Sequence, residues 1–327
     1  MKIKMAVLVV LLLSALLFYK INKQDNNNLK KVFVSKIVDH EALNETFRGL
    51  VDSLAEQGFI QGQNLDLRME SAQGNATLAT QIAAKFINQS PAVVVGIGTV
   101  SAQSLAKDAL ANKTKLVFSS ITDPLAANLT DEDNLKPNIT GVSNFVELAP
   151  QIQLFKQIKP SIKRLGIIYN PGESNSVSLV NKLSNICLES DIFLVKQSVA
   201  NSSQLYQAAV KLSLDVDAIF ISNDNTALSG LQSIIKAANL QKIPVFVSDT
   251  DAVKLGALAA LGPNQYEIGV QTGSIIANIL NGKDMRKMPI EYPKNTELFI
   301  NLDTAKILGI EILPELITKA KKIIKSE

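Results

Sequence analysis

Two different periods of apolar and polar residues alternate along the chain from Lys31 onward. Short runs rich in Val, Ile and Phe predict β-strands, and the longer stretches between them carry apolar residues at helical spacing. Leu43, Leu50 and Leu54, for example, share one face of a predicted helix, and Gly58 stands where a helix end requires a residue that tolerates a positive φ. Strands that alternate with helices indicate right-handed βαβ units and a parallel sheet.

The alternation comes in two series of similar size. The predicted strands cover 31–38, 64–72, 91–98 and 115–122 in the first series, and 164–170, 192–199, 216–223 and 243–249 in the second. Runs such as AVVVGIG and IPVFV are apolar throughout, as in sheets that are covered by helices on both faces. The pattern therefore predicts an α/β chain with two doubly wound parallel-sheet lobes.

Polar residues follow these predicted strands closely. Because ligands of open α/β sheets bind beyond the carboxyl ends of the strands, these residues are the candidate ligand contacts. They are Thr99, Ser101, Thr122, Asp123, Asn175, Ser176, Asp224, Asn225, Thr226 and Asp249. Helix N-termini with hydroxyl groups suit a carboxylate, and a buried aspartate suits an ammonium group. Taken one at a time, such residues are equally explained as helix caps or turn formers.

Catalytic and cofactor motifs are missing from the sequence. There is no P-loop, no G-x-S-x-G, and GIGTVS supplies only two glycines of the dinucleotide fingerprint. The only histidine, His40, is interpreted as a structural residue that holds the start of a helix, and the only cysteine, Cys187, as a buried apolar residue. The sequence thus predicts a binding protein without catalytic residues, metal or cofactor.

Charge gives little sign of a macromolecular partner. The formal net charge is +3 and the basic residues are scattered, which argues against a nucleic-acid surface. The basic C-terminal cluster KAKKIIK is interpreted as the solvated face of a last helix.

The N-terminal segment has the layout of an export signal. Lys2 and Lys4 precede an apolar run from Met5 to Tyr19, and the polar stretch NKQDNNN follows as a spacer. The run is short for a membrane span of about 20 residues, and no clear cleavage site follows it. Residues 1–30 are therefore predicted to be either a cleaved signal peptide or a retained anchor, and both place the remainder outside the cytoplasm.

Seven loop motifs, taken together and in order, resemble one family. IVDHEALN, ESAQGN, TDPLAANL, NITGVS, YNPGESNS, NDNT and GVQTGSIIANILNG are similar to motifs of the TrpX-like ABC-transporter substrate-binding proteins. The resemblance implies a type I periplasmic binding protein fold with a hinge of three chain crossings, expected near residues 147, 262 and 287. Lobe 1 would comprise 31–147 and 263–287, and lobe 2 would comprise 148–262 and 288–327.

The same resemblance implies a role for the candidate residues. Lobe 1 would contribute Thr99, Ser101, Thr122 and Asp123, and Asp224 would bind the ammonium group of an aromatic amino acid. Asn175 and Ser176 of YNPGESNS would face the ligand, and Glu173 is expected to be exposed. Closure about the hinge would present the ligand to a membrane permease, with the protein acting as a monomer.

Departures from the family pattern leave specificity open. The chain has NDNT, SDTD and GPNQYEIG where TDNT, a more acidic loop and a Tyr-rich segment are usual. Alternative interpretations are a binding protein for another solute (a sugar, nucleobase or signal molecule), and a membrane-anchored sensor.

Overall fold

A computed structural model describes residues 29–131 and 136–326. The N-terminal segment that was interpreted as a signal or anchor lies outside these residues, apart from its last two positions. Within the described part of the chain, no helix is both long enough and apolar enough to cross a membrane.

The first lobe is built on a five-stranded, fully parallel sheet in the order β2-β1-β3-β4-β5. Its strands are β1 (Lys30–Lys36), β2 (Leu65–Ser71), β3 (Val93–Ile97), β4 (Leu116–Ile121) and β5 (Ile139–Ser143). Its helices are α1 (Glu41–Glu56), α2 (Ala76–Ile87), α3 (Thr99–Ala111) and, from later in the chain, α9 (Gln265–Leu280). Gly58, just after α1, has a φ of 84°, which confirms the expected helix end.

The second lobe is built on a seven-stranded sheet in the order β12-β11-β10-β9-β8-β6-β7. Its strands are β6 (Arg164–Tyr169), β7 (Phe193–Ser198), β8 (Ala218–Ile221), β9 (Val245–Val247), β10 (Ala259–Gly262), β11 (Glu297–Asn301) and β12 (Lys322–Ile324). Its helices are α4 (Leu148–Ile158), α5 (Ser174–Glu189), α6 (Leu205–Ser213), α7 (Asn225–Ser229), α8 (Leu231–Leu240), α10 (Leu302–Leu308) and α11 (Pro314–Lys319). Short 3₁₀ turns lie at Ser202–Gln204, Thr250–Leu255 and Met285–Lys287.

The end of the second sheet differs from the sequence-based expectation. β11 runs antiparallel to β10, whereas the other neighbouring strands of this sheet are parallel. The interpretation of KAKKIIK as a helix face was wrong, because Lys322–Ile324 form β12 beside β11. This three-residue strand gains its hydrogen bonds from a partner about twenty residues earlier, so the local pattern carries no signal for it.

The chain crosses between the lobes three times, and the third crossing lies later than expected. Met288 and Ile290 still pack on the core of the first lobe, and Glu291 exchanges backbone hydrogen bonds with β5. The chain enters the second sheet only at Glu297. The boundary expected at residue 287 therefore moves to the segment 292–296.

Apolar side chains alternate between the two faces of the strands and form the cores. In β8 of the second lobe, Phe220 belongs to the core on one face and Ile219 to the core on the other. Cys187 is 1% exposed in the first of these cores, which confirms its interpretation as a buried apolar residue.

Helices α1 and α9 approach each other at glycines in the first lobe. A Cβ atom added to Gly269 would lie 2.1 Å from the backbone oxygen of Thr46, and one added to Gly49 would lie 2.1 Å from that of Tyr266. Both obstructions are backbone atoms, so a side chain cannot be accommodated by a change of rotamer. This close contact fixes α9, whose first turn reaches the cleft between the lobes.

We expect Gly269→Ala to destabilise the protein, although the same change in an exposed helix stabilises by roughly 0.5–1 kcal/mol. The new methyl group must push α1 and α9 apart, and overpacking of this kind costs about 1–3 kcal/mol. Urea unfolding checks this, with Ser274→Ala on the same helix as the control. A midpoint for Gly269→Ala at or above that of the wild type would contradict the packing argument.

Candidate functional site

The carboxyl ends of the strands in the two sheets face each other and enclose a polar cavity. The space between the lining side chains measures about 270 Å³ including open solvent at its mouth, but the volume open to a water-sized molecule is only about 10 Å³, so the side chains nearly fill it. The lining residues are His40, Ala42, Leu43, Thr99, Ser120, Thr122, Asn144, Asn175, Asn223, Asn225, Leu228, Asp249 and Gln265. Most of them carry hydroxyl, amide or carboxylate groups, so the cavity suits a small polar molecule.

The first lobe contributes mainly hydroxyl groups and a helix end. Thr99 is the first residue of α3, whose N-cap is Gly98 at a φ of 84°. No side chain caps this helix, and its N-terminal N–H groups suit an anion. Thr122 lies beyond β4, where its hydroxyl donates to Asn144 Oδ1 at 3.3 Å. The proton of Thr122 is thus already used, and the Thr99 hydroxyl and the N–H groups of α3 are the donors that this side can offer to a carboxylate.

Ser120 reaches the cavity through an irregularity in β4. The pairing of β4 with β5 shifts between Ser119 and Ile121, and Ser120 takes a left-handed φ of 55°. Such a bulge re-aims a side chain out of the normal alternation of a strand. The Ser120 hydroxyl can then donate to Gln265 Oε1 at 3.0 Å.

The second lobe contributes oxygen atoms that accept hydrogen bonds. Within the described residues, Asn175 Oδ1 and Asn223 Oδ1 are buried without a hydrogen-bond partner. Asp249, which is 2% exposed, also lines this side. Buried acceptors of this kind carry a desolvation cost until a donor reaches them. The second lobe therefore offers a site for a cationic or N–H group.

The Asp249 carboxylate is the strongest of these acceptors. Its Oδ1 accepts a hydrogen bond from Gln265 Nε2 at 2.8 Å, and no cationic side chain of the described chain forms an ion pair with it. Burial, together with the nearby Asp251 charge, raises the pKa of Asp249 to about 7. A cationic ligand group beside it would favour the ionised form and lower this pKa again.

Gln265 joins the two halves of the site. It is the first residue of α9, just after the second crossing. Its amide nitrogen donates to Asp249 of the second lobe, while its oxygen accepts from Thr46 at 3.2 Å and from Ser120 at 3.0 Å in the first lobe. One side chain thus sets the positions of the carboxylate and of a facing hydroxyl.

YNPGESNS contributes one residue, Asn175, to the wall of the cavity, and Glu173 supports the wall from outside it. The prediction that Glu173 is exposed was wrong, because this residue is only 5% exposed and its carboxylate lies at the start of α7. Glu173 accepts hydrogen bonds from the backbone N–H and from the side chain of both Asn225 and Thr226. It caps the helix that brings Asn225 to the cavity.

Asp224 lies behind the cavity rather than in its wall. Its Oδ1 caps α7 through the Ala227 N–H at 2.7 Å, and its Oδ2 accepts from the Asn170 N–H and from the Ser176 hydroxyl, both at 2.6 Å. Burial and the Glu173 charge raise the pKa of Asp224. The geometry argues against its assignment to the ligand ammonium group, because both of its oxygens already accept hydrogen bonds from the fold.

The structure brings half of the predicted residues to the cavity wall. Thr99, Thr122, Asn175, Asn225 and Asp249 line it, whereas Ser101, Asp123, Ser176, Asp224 and Thr226 do not. Ser101 accepts from Ser35 inside the first lobe, and Ser176 and Thr226 donate to Asp224 and Glu173. These three residues therefore form hydrogen bonds within their own lobe and do not contact the cavity.

Asp123 connects the lobes outside the cavity. Its carboxylate accepts from Ser178 at 2.8 Å and from Lys182 Nζ at 3.0 Å, both on α5 of the second lobe. A second ion pair, between Glu41 and Lys254, also links the two lobes. Within the described residues, the two lobes are therefore in direct contact.

His40, Asn144 and Gln265 line the cavity but were not among the predicted ligand contacts. His40 is the N-cap residue of α1 and its backbone oxygen accepts from the Asn44 N–H, which confirms that it holds the helix start, but its side chain makes no capping hydrogen bond and lines the cavity instead. Its position after β1 was the available signal. Asn144 follows β5, a strand the pattern did not reveal, and Gln265 reaches the cavity through a chain crossing.

Comparisons with known proteins find relatives over nearly the whole described chain. A family model described as "ABC transporter substrate binding protein" matches residues 31–324. A tyrosine-binding protein of Clostridioides difficile is 30% identical over 296 residues, which cover 89% of this chain and 84% of that protein.

Two solved structures show which arrangement of the lobes this chain adopts. An ABC domain from Streptococcus pneumonia in complex with L-Trp matches with a TM-score of 0.86 over 90% of this chain and 100% of that one. A ligand-free, open substrate-binding protein with adhesive properties from Clostridium difficile matches with a TM-score of 0.67 over 91% and 100%. Both are 28% identical to this chain, so the difference indicates that its lobes lie closer to the arrangement of the L-Trp complex.

We expect Asp224→Ala to lower the free energy of unfolding by about 3 kcal/mol or more, because it leaves buried donors at Asn170, Ser176 and Ala227 unpaired at about 1–3 kcal/mol each. Asp224→Asn should cost less, since an amide oxygen can still cap α7. Urea unfolding of both variants measures this. An Asp224→Ala protein as stable as the wild type, with ligand affinity lost, would instead make Asp224 a direct ligand contact.

Proposed function

Because this chain belongs to the family of ABC-transporter substrate-binding proteins, as its loop motifs implied, we propose that it binds a single free amino acid in the cavity between its lobes. The family and these relatives are solute-binding proteins, so the chain is a binding protein and not an enzyme.

The division of donors and acceptors across the cavity carries this proposal. An amino acid zwitterion has an ammonium group, which donates hydrogen bonds, and a carboxylate, which accepts them. Asp249 and the unpaired oxygens of Asn175 and Asn223 lie on one side. The Thr99 hydroxyl and the uncapped end of α3 lie on the other. The ammonium group would contact the second lobe and the carboxylate the first.

An aromatic amino acid is the preferred ligand class. One relative is named for tyrosine binding, and a similar solved domain holds L-Trp. The apolar part of the wall, Ala42, Leu43 and Leu228, provides a surface for the ligand side chain. A sugar is less well supported, because sugar sites commonly stack a ring on a Phe, Tyr or Trp side chain and none of these lines this cavity.

Hinge closure would couple binding to transport. A ligand that contacts both lobes favours the closed arrangement by its differential affinity for that state. The closed shape would then be recognised by a membrane permease. We place the domain outside the cytoplasm, where such proteins meet their permease, as a monomer whose N-terminal segment is a cleaved signal or a retained anchor.

Titration of residues 29–327 with L-tryptophan tests the ligand class. The protein contains no Trp, so a saturable blue shift of the ligand's emission reports its transfer into the cavity. We expect L-tyrosine and L-phenylalanine to compete. A parallel thermal-shift screen of other amino acids and sugars should show the largest shift for the true ligand, since a concentration of 100 times Kd stabilises by about 2.7 kcal/mol. Stabilisation by a sugar alone would overturn the amino acid proposal.

The affinity for the amino acid should decrease as the pH is lowered below about 7. Burial in this arrangement of the lobes raises the pKa of Asp249 to about 7, and binding of an ammonium group requires its ionised form. Below that pH, binding must displace a proton, so Kd should rise by up to about tenfold per pH unit. Asp249→Asn should weaken binding at pH 8 by about tenfold or more and remove most of this pH dependence.

Asp224→Asn is the matched control for that experiment. It also removes a buried carboxylate with a raised pKa, but one that lies behind the cavity wall. We expect this variant to keep the pH dependence. Equal loss of the pH dependence in both variants would contradict the assignment of the ammonium group to Asp249.

A further inference from the structure

His40 makes a contact across the cleft that the proposed function does not require. The residue follows β1 in the first lobe, and its Nε2 lies 3.3 Å from Asn225 Oδ1 of the second lobe. Both side chains line the cavity. Because the two residues are 185 positions apart and lie on different lobes, this hydrogen bond forms only where the lobes meet.

Glu173 determines which way the Asn225 amide points. Its Oε2 lies 2.6 Å from Asn225 Nδ2 and 3.1 Å from the Asn225 N–H. The other oxygen, Oε1, accepts from the Thr226 hydroxyl at 2.7 Å and from its N–H at 2.9 Å. Each oxygen of Glu173 already accepts a backbone N–H, so it meets the Asn225 side chain as an acceptor, and Asn225 turns its NH₂ group toward Glu173. Its oxygen is then left facing His40.

This orientation dictates the proton position on the imidazole. Since Asn225 presents an oxygen, the His40 nitrogen beside it must carry hydrogen. Burial lowers the pKa of His40 to about 4, so the ring is neutral at pH 7 and has one N–H. The charged groups near the ring are Lys36, Asp39 and Glu41, and of these Lys36 opposes protonation whereas the two carboxylates favour it. With hydrogen on Nε2, Nδ1 has a lone pair and can only accept.

We propose that Glu173, Asn225 and His40 form a cross-lobe relay, in which Glu173 fixes the tautomer of His40 and makes the ring a hydrogen-bond acceptor in the ligand cavity. Glu173 acts as a positioning residue, since it lies outside the cavity wall and acts through Asn225. The relay rests on the proposed function in one respect only, which is that a ligand occupies the cavity. It selects ligands that bring a donor, such as an ammonium, hydroxyl or N–H group, to the ring.

The chain has a single histidine, so the ring can be observed without ambiguity. Protein grown with ¹⁵N-labelled histidine gives a long-range ¹H–¹⁵N spectrum that distinguishes the protonated ring nitrogen from the other. We expect the neutral Nε2–H form at pH 7, recorded without ligand and with saturating L-tryptophan or L-tyrosine. A ring that is Nδ1–H or cationic in both states overturns the relay.

Glu173→Gln tests whether Glu173 sets the tautomer. A glutamine amide can donate as well as accept, so Asn225 is free to turn over and present its NH₂ group to the ring. We expect a mixture of tautomers and at least a several-fold rise in the Kd of the amino acid that binds. Glu189→Gln makes the same chemical change at the exposed far end of α5 and should alter neither. A folded Glu173→Gln protein with the wild-type tautomer overturns the proposal.

Asn225→Ala provides an independent test if Glu173→Gln does not fold. It removes the oxygen that accepts from His40, so we expect a mixture of tautomers here as well. An unchanged Nε2–H signal would contradict the relay. The tautomer is read without reference to ligand identity. An Nε2–H ring in a protein that binds neither amino acid would therefore discard the proposed ligand class and leave the relay standing.

Discussion

The buried carboxylate of Asp249 is the constraint on which the site depends. A charge removed from water costs several kcal/mol unless it is paired, and the described chain gives Asp249 only the Gln265 amide. As a result, the pKa of Asp249 is raised to about 7, and the cavity wall contains a carboxylate without a cationic partner. Asn175 and Asn223 add unpaired oxygens to the same wall. A donor group, above all a cation, is the partner that such a wall favours.

The facing wall has the opposite character because of how parallel sheets are built. Helices that follow parallel strands begin at the carboxyl edge, so the N-terminus of α3 points its free N–H groups at the cleft. When two such lobes face each other, helix ends and hydroxyls on one side can meet carboxylate and amide oxygens on the other. The polarity of the cavity thus follows from the topology of the lobes and from the placement of one aspartate.

Contacts between the lobes are numerous but individually weak. The Asp123–Lys182 and Glu41–Lys254 pairs are partly exposed, and pairs of this kind contribute about 0–1 kcal/mol each. Together with the His40–Asn225 hydrogen bond, they keep the two lobes in contact around the cavity. Under the proposed function, a ligand that prefers this arrangement by a modest differential affinity can control it.

The sequence by itself determined the fold class and the region of the site. Hydrophobic periodicity depends on neighbours within one element, so it revealed the strands from β1 to β4 and from β6 to β9, and their polar ends marked the cleft. Only the tertiary structure decided which polar side chains line the cavity. Asp224 and Asp249 both follow apolar strands, yet Asp224 turns back to cap α7 whereas Asp249 turns to the cavity. Ser120 reaches the cavity because of a bulge in β4, and Gln265 reaches it because the chain crosses between the lobes. His40 forms its hydrogen bond with Asn225, which is 185 residues away. These outcomes depend on contacts between distant segments, which local sequence patterns do not encode.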